Sequence, residues 1–269
     1  ADDYLSNDVD GKGLLASTDC APVSDTDPTC KKYSPIGHAW DEGFGYFGGA
    51  RNYGDLDAAA IKANENDANG DGCIDLITEY NWGGSVNAAK RDLGSADVVD
   101  AAGTSVATDF VGDAWTGFHG GRDIIATALA DGGPLTDAEM TELLTHRDLA
   151  ISSWEKAIAA TVVHYINDVL ADISAASPST PEEFVFADYA KHWGEAKGFG
   201  LWFQFNPNSP MSDADFAELH DLLGQTAPAW DPSDETDAAG GMTFYNDLET
   251  ARDLVCTAYA FEADNCANW

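Results

Sequence analysis

The stretch that decides the fold is residues 136–173, TDAEMTELLTHRDLAISSWEKAIAATVVHYINDVLADI. Its apolar residues recur every three or four positions from Met140 to Leu170, which is the spacing of one face of an α-helix. The apolar stripe is wide, as expected of a helix that has neighbours on several sides. Thr136 and Glu139 have the spacing of a capping box, with which many helices begin. The stretch therefore predicts a long, central helix.

Shorter helical segments flank this helix on both sides. Pro35 and Pro181 each favour a first helical turn, and Ser212 is a typical helix-capping residue. Strand-like alternation is scarce and no interdomain linker is evident, so we expect an all-α fold. The expected architecture is a bundle of roughly five to seven helices with long loops, forming a single domain over residues 35–269. The predicted flanking helices cover residues 35–48, 56–66, 120–131, 181–205, 212–224 and 244–261.

Four of the five cysteines fall in two close pairs. Cys20 and Cys30 bracket a loop rich in Pro, Asp, Ser and Thr, whereas Cys256 and Cys266 bracket the end of the last helix and its tail. Short loops closed by cysteine pairs are typical of disulfides formed in an oxidising compartment. Both pairs are predicted disulfides, although pairing between the first and last segments stays open. We expect residues 1–34 to form an irregular, disulfide-stapled segment of a secreted or periplasmic protein.

The charge balance is extreme, with 13 Lys and Arg against 47 Asp and Glu and a net charge of −34 at pH 7. Such a field repels phosphate backbones and anionic bilayers, which argues against nucleic-acid partners and lipid surfaces. Because salt screens self-repulsion, the composition fits a marine or halophilic source. No run of about 18 apolar residues occurs, so we expect no membrane-spanning helix.

The sharpest motif is residues 67–76, DANGDGCIDL, whose first nine residues match the start of an EF-hand-type calcium loop. Calcium takes about six to eight oxygen ligands. The motif places side-chain oxygens at the loop positions that supply such ligands, with a glycine at the sharp turn. We expect a structural calcium site that fixes the loop between two helices. The predicted ligands are Asp67, Asn69, Asp71, Asp75 and the backbone carbonyl of Cys73.

The end of this loop departs from the usual pattern. Thr78 occupies the position where a bidentate carboxylate is usual, and Glu79 follows one residue later. Glu79 is therefore the displaced candidate for the last ligand, with low affinity or altered geometry expected. The alternative is a solvated turn rich in Asp and Asn. Cys73 fits as a small side chain with a ligating carbonyl, and a reactive thiol is the other reading.

Two short stretches echo each other, residues 37–47 (GHAWDEGFGYF) and residues 191–203 (KHWGEAKGFGLWF). In each, a histidine precedes a carboxylate by three or four residues, which places both on one face of a helix. Imidazole and carboxylate groups in a helical bundle are typical ligands of iron, zinc or manganese. The alternative is that each pair is an ordinary surface or core contact. The side chains predicted to form this second metal site are His38, Glu42, His192 and Glu195.

The same two stretches, together with residues 121–125 and 154–167, resemble the DUF4856 family of bacterial proteins, which is similar to imelysin-like (M75-type) proteins. The resemblance spans roughly residues 35–260. It implies an all-helical, imelysin-like bundle outside the cytoplasm, here with a calcium-loop insertion. Imelysin-like proteins are linked to iron handling through a Gly-x-His-x-x-Glu motif. Gly37, His38 and Glu42 stand where that motif would be, with one more residue between His and Glu, while His192 and Glu195 keep the motif's His-x-x-Glu spacing.

We therefore expect a secreted or periplasmic metal-binding protein with a structural calcium loop and an iron-like or zinc His/Glu site. One alternative is a non-catalytic extracellular module for a polymer or protein partner, in which Trp82, Trp115 and Trp230 stack on sugars. The more remote alternative is a metal-dependent hydrolase with Glu42 or Glu195 as general base. The HExxH and G-x-S-x-G signatures do not occur.

Overall fold

The computed structural model describes residues 4–19, 22–24, 27–30, 33–93, 106–175, 181–229 and 235–269. These residues form α-helices together with one short antiparallel hairpin, so the predicted all-α architecture is confirmed. None of the described helices has the length and apolar character needed to cross a membrane. The hairpin strands are β1 (Pro22–Ser24) and β2 (Asp27–Cys30). The helices are α1 (Pro35–Phe47), α2 (Ala58–Ala63), α3 (Gly83–Arg91), α4 (Phe110–Ala130), α5 (Asp137–Ala175), α6 (Phe186–Gly200), α7 (Asp213–Leu222), α8 (Glu235–Ala258) and α9 (Ala263–Asn268).

The chain divides into two compact units. Unit 1 comprises Ala1–Asp92 with Asp109–Trp154, and unit 2 comprises Leu93–Thr108 with Glu155–Trp269. The segment before residue 35 thus belongs to the same unit as α1. The prediction of a single domain over residues 35–269 stays a prediction, and the predicted Cys20–Cys30 disulfide lies outside the described residues.

Local capping signals place the starts of α1 and α5. The Ser34 hydroxyl accepts a hydrogen bond from the Gly37 amide at 3.1 Å, and Pro35 follows as the first helical residue. At α5, the Thr136 hydroxyl accepts from the Glu139 amide at 3.3 Å, while the Glu139 carboxylate accepts from the Thr136 amide at 2.7 Å. This reciprocal pair is the predicted capping box.

Three of the predicted helices had wrong boundaries. α4 begins at Phe110 rather than near residue 120, because Asp109 caps the Gly112 amide and the glycines that follow do not interrupt the helix. The predicted helix over 181–205 is instead a 3-10 turn, then α6, then a second 3-10 turn from Leu201 to Phe205. The last helix begins at Glu235 and ends at Ala258, where the left-handed Ala260 (φ 52°) turns the chain into α9.

An aromatic cluster forms the core of unit 1. Phe47 lies at ring-contact distance from Phe118, Tyr53 and Trp154, with centroids 5.4, 5.4 and 5.7 Å away. Trp40 is buried and donates its indole N–H to the Phe118 carbonyl at 2.8 Å. These contacts join α1, α4 and the first half of α5.

The close approach of α1 to α4 depends on Gly121, where an added Cβ would lie 2.1 Å from Trp40 Cζ2. Gly121→Ala is expected to cost about 1–3 kcal/mol or more, because the buried indole has nowhere to move. Chemical denaturation of the two proteins measures this loss. Gly198→Ala on α6 is the matched control, since a Cβ there meets nothing within 4 Å and is expected to stabilise by about 0.5–1 kcal/mol. Equal stability of Gly121→Ala and the parent chain would contradict this account of the α1–α4 contact.

Unit 2 is tied together at its carboxyl end. The predicted disulfide between Cys256 and Cys266 is confirmed and joins α8 to α9. The side-chain amide of Asn167 on α5 donates to the backbone carbonyls of Cys266 and Trp269 at 2.9 and 2.8 Å. These bonds fix the end of the chain against the second half of α5.

Candidate metal centres

The predicted calcium loop connects α2 to α3 in unit 1, and asparagine side chains hold its two ends. The side-chain amide of Asn66 donates to the backbone carbonyl of Glu79 at 3.0 Å. The side-chain oxygen of Asn64 accepts from the backbone amide of Asn81 at 2.7 Å. Asn66 and Asn52 also exchange a reciprocal pair of side-chain hydrogen bonds. These hydrogen bonds therefore fix both ends of the loop.

The first half of the loop turns tightly around Asp67. Its carboxylate accepts hydrogen bonds from the amides of Gly70, Asp71 and Gly72 at 2.8 to 3.1 Å. Gly70 and Gly72 have φ of 74° and 83°, which only glycine adopts without strain. The turn gathers the side chains at loop positions one, three and five on one short stretch of exposed backbone.

Glu79 closes the loop from its far end. Its side chain is only 4% exposed, and its two carboxylate oxygens accept from the Asn69 and Asp75 amides at 3.1 and 2.8 Å. The carboxylate therefore spans the loop from the third position to the ninth. Thr78, at the usual twelfth position, donates its amide to Asp75 instead.

Asp75 keeps its negative charge readily. Hydrogen bonds from the amides of Ile77 and Thr78 lower the pKa of Asp75 below its usual value, and the positive charge of Arg51 acts in the same direction. Cys73 is exposed and its thiol is free. Within the described ranges, no group of three or more His, Cys, Asp or Glu side chains is placed so that it could hold a metal ion.

The first predicted His/Glu pair lies on the surface of unit 1. His38 Nε2 is 3.4 Å from Glu42 Oε1, and the two side chains are 52% and 38% exposed. The His38 ring stacks on Tyr33 with centroids 4.9 Å apart. Asp41, the neighbouring carboxylate, pairs instead with Arg122 at 2.7 Å. The geometry of the pair is that of an exposed contact along one helix face.

The second predicted histidine, His192 in unit 2, contacts other carboxylates than the sequence indicated. His192 Nδ1 lies 2.7 Å from Asp172 Oδ2, and His192 Nε2 lies 4.0 Å from Asp168 Oδ2. Among the described residues these are the carboxylates within 4.0 Å of the ring. Glu195 Oε2 is buried without a hydrogen-bond partner among them. Since His38 and His192 lie in different units, the four-residue metal site stays a prediction.

Sequence reasoning missed the acidic side chains opposite His192. His164, Asp168 and Asp172 recur at four-residue intervals on α5 and therefore share one helix face. The four-residue spacing could be seen in the sequence. His192, however, lies on α6, and no local sequence pattern predicts that it packs against this face of α5.

A half-buried carboxylate in unit 1, Asp92, has a shifted pKa. Asp92 accepts from the amides of Phe110 and Val111 at the start of α4. Burial raises the pKa of Asp92 to about 6, although these two amides act in the opposite direction. Asp92 thus accepts from the first two backbone amides of α4, while its burial disfavours the charged form of the carboxylate.

The tryptophans proposed for sugar stacking differ in their surroundings. Trp82 is 51% exposed and lies against Tyr80 with ring centroids 4.5 Å apart. Trp115 is half-buried against Phe44, and Trp230 lies outside the described residues. A glycan-binding function stays a prediction.

Comparison of the chain with protein-family models, curated proteins and solved structures finds no match. The DUF4856-like and imelysin-like resemblance therefore stays an expectation from the motifs.

Proposed function

We propose that this chain is a calcium-binding protein in which residues 67–79 hold one Ca²⁺ ion in a structural role. The observation that supports this is the buried Glu79 carboxylate, which reaches back across the loop from the thirteenth position. It supplies the closing carboxylate that Thr78 cannot, because Thr78 has no charged oxygen.

The charge of the loop supports the same proposal. Asp67, Asp71, Asp75 and Glu79 bring four carboxylates into thirteen residues. In the part of the chain that the structure describes, none of the four lies within 4.0 Å of a Lys, Arg or His nitrogen. A divalent cation would relieve their mutual repulsion.

The hydrogen bonds inside the loop are compatible with metal coordination. A carboxylate has about four lone-pair sites, so Asp67 retains acceptor capacity after binding its loop amides. The same amide bonds fix the direction of each side chain, which reduces the ordering that calcium must impose. The expected ligands are the oxygens of Asp67, Asn69, Asp71 and Glu79, the Cys73 carbonyl, and Asp75 directly or through water.

The setting that we propose is extracytoplasmic. The Cys256–Cys266 disulfide is typical of an oxidising compartment. Calcium loops of extracellular proteins bind Ca²⁺ with a Kd of about 10⁻⁴ to 10⁻³ M. We expect a loop with a displaced last ligand to fall in this affinity range and to be loaded at calcium concentrations above it. The ion would then stabilise the connection between α2 and α3.

Thermal unfolding with and without calcium tests this function. We expect Ca²⁺ to raise Tm, since an ion at 100 times its Kd stabilises by about 2.7 kcal/mol. Asp71→Ala should lose this response, whereas Glu65→Ala, an exposed carboxylate just before the loop, should keep it. The proposal fails if Ca²⁺ leaves the parent Tm unchanged, or if both variants respond equally.

A further inference from the structure

We propose that the 3-10 turn Leu201–Phe205 of unit 2, named the aromatic turn below, is a binding surface for a neutral polysaccharide. This function is independent of the calcium loop in unit 1 and uses none of the tryptophans that the sequence indicated. The ligand class is a β-1,4-linked chain of uncharged sugars. Such chains are extended and expose flat faces of C–H groups, with hydroxyl groups along their edges.

The aromatic turn presents large apolar side chains to solvent. Leu201, Trp202 and Phe205 are 44%, 38% and 66% exposed. Single exposed apolar residues need no explanation, but three within five residues are typical of an interaction surface. Residues three apart in a 3-10 helix lie on the same side, about 6 Å apart along the axis, so Trp202 and Phe205 share one face. Aromatic rings in such an arrangement offer apolar faces on which the C–H face of a sugar can stack.

The segment around the aromatic turn is uncharged, although the chain as a whole is dense in charge. Residues 198–212, GFGLWFQFNPNSPMS, contain no Asp, Glu, Lys, Arg or His, whereas charged residues make up 22% of the chain. The net charge of −34 would repel an anionic polymer, and it opposes the pairing of two copies of the chain through this surface. The charge distribution therefore favours a neutral ligand.

Uncharged amide side chains accompany the rings. Gln204 is exposed, and its side-chain amide donates to the Leu201 carbonyl at 2.8 Å, which holds it beside the apolar side chains. Asn208, three residues beyond the turn, is exposed as well. An amide offers N–H donors and a carbonyl acceptor, which complement a sugar hydroxyl that both donates and accepts. The amides therefore favour a hydroxyl-rich ligand over a purely apolar one.

Buried contacts hold the aromatic turn in place. Phe203, at its centre, is 2% exposed and packs on Tyr259 with ring centroids 5.3 Å apart. Directly after the turn, the side-chain amide of Asn206 donates to the Glu155 carboxylate, to which the Tyr259 hydroxyl also donates. Because the turn is anchored at its centre and at its end, a sugar chain would bind with little further ordering of the protein.

Native affinity electrophoresis in gels that contain hydroxyethylcellulose, galactomannan or arabinoxylan tests this surface. We expect at least one of these neutral polymers to retard the parent chain, and polygalacturonate, an anionic polymer, to leave it unretarded. Trp202→Ala and Phe205→Ala should each weaken binding by about tenfold or more, as loss of a central aromatic contact does. Trp82→Ala is the matched control and should bind as the parent does, because it removes a 51% exposed tryptophan from unit 1.

The proposal is overturned if none of the three neutral polymers retards the parent chain, or if polygalacturonate retards it as strongly. It is equally overturned if Trp202→Ala and Phe205→Ala bind as the parent does, or if Trp82→Ala loses as much affinity as they do. Light scattering separates a glycan from a second copy of the chain as the occupant. A dimer that Trp202→Ala dissociates would contradict the assignment.

Should Trp202→Ala fail to fold, indole ¹H–¹⁵N spectra of the parent chain decide. An oligosaccharide of the retarding polymer is expected to shift the resonance of one of the eight tryptophans. A shift of none, or of most of the eight, would contradict a binding surface at the aromatic turn.

Discussion

Replacing Glu155 with alanine is expected to lower the free energy of unfolding of unit 2 by about 2–4 kcal/mol. Glu155 is 4% exposed. Its carboxylate accepts hydrogen bonds from Tyr259 Oη at 2.7 Å, from Ser209 Oγ at 2.5 Å and from the side-chain amide of Asn206. Alanine would leave the buried Tyr259 hydroxyl facing a cavity, and an unsatisfied buried polar group costs about 1–3 kcal/mol. The half-buried Ser209 and Asn206 donors would also lose their acceptor, at a smaller cost each because water can reach them.

Chemical denaturation of the parent and variant chains measures this effect. Glu155→Gln should lose less, because the amide keeps the shape and one acceptor oxygen. Glu218→Ala, an exposed carboxylate on α7, is the control and should change stability by no more than about 0.5 kcal/mol. A loss below about 1 kcal/mol in Glu155→Ala would contradict the view that this carboxylate joins three segments of unit 2.

The second large effect is expected in alkaline solution, where stability should fall steeply above a pH of about 10. Burial raises the pKa of Tyr53, Tyr189 and Tyr259 well above the usual value, and the Glu155 charge adds to the shift at Tyr259. The three side chains are 0 to 2% exposed. Their contribution is complete below the unfolded pKa and is lost as pH rises, because the unfolded chain ionises while the folded chain cannot.

The expected slope follows from the number of protons involved. Each such tyrosine lowers the free energy of unfolding by about 1.4 kcal/mol per pH unit. Summed over Tyr53 in unit 1 and Tyr189 and Tyr259 in unit 2, the loss is about 4 kcal/mol per pH unit. Urea unfolding at pH of about 9 and 11 measures it, and Tyr189→Phe should reduce the slope by about a third. Equal stability at both pH values, or ionisation of all nine tyrosines near pH 10 in the folded chain, would contradict the prediction.

The sequence predicts the helices that carry strong local signals. The capping box at Thr136 and Glu139 and the 3.6-residue spacing beyond it define α5 almost to the residue, and Ser34 with Pro35 does the same for α1. α4 was only partly predicted because its glycines disguise a helix that packs closely on Trp40. Glycine has a low helix propensity, and here tertiary contact outweighs it.

The candidate sites divide in the same way. The calcium motif is contiguous, so its residues could be identified from spacing alone, while the reach of Glu79 depends on how the asparagines fix the loop. The His38–Glu42 contact follows from helix geometry. The partners of His192 did not follow, because Asp168 and Asp172 lie on another helix and pairing between helices is not encoded in local periodicity.

Calorimetric titration of the parent chain and of Glu79→Gln with Ca²⁺ tests the central claim most directly. We predict one equivalent of Ca²⁺ in the parent chain, and binding weaker by at least about tenfold in Glu79→Gln, because the amide offers one neutral oxygen in place of two charged ones. Glu65→Gln should match the parent. Absence of calcium heat in the parent chain, or identical curves for the parent and Glu79→Gln, would contradict the assignment of Glu79 as the carboxylate that closes a calcium site.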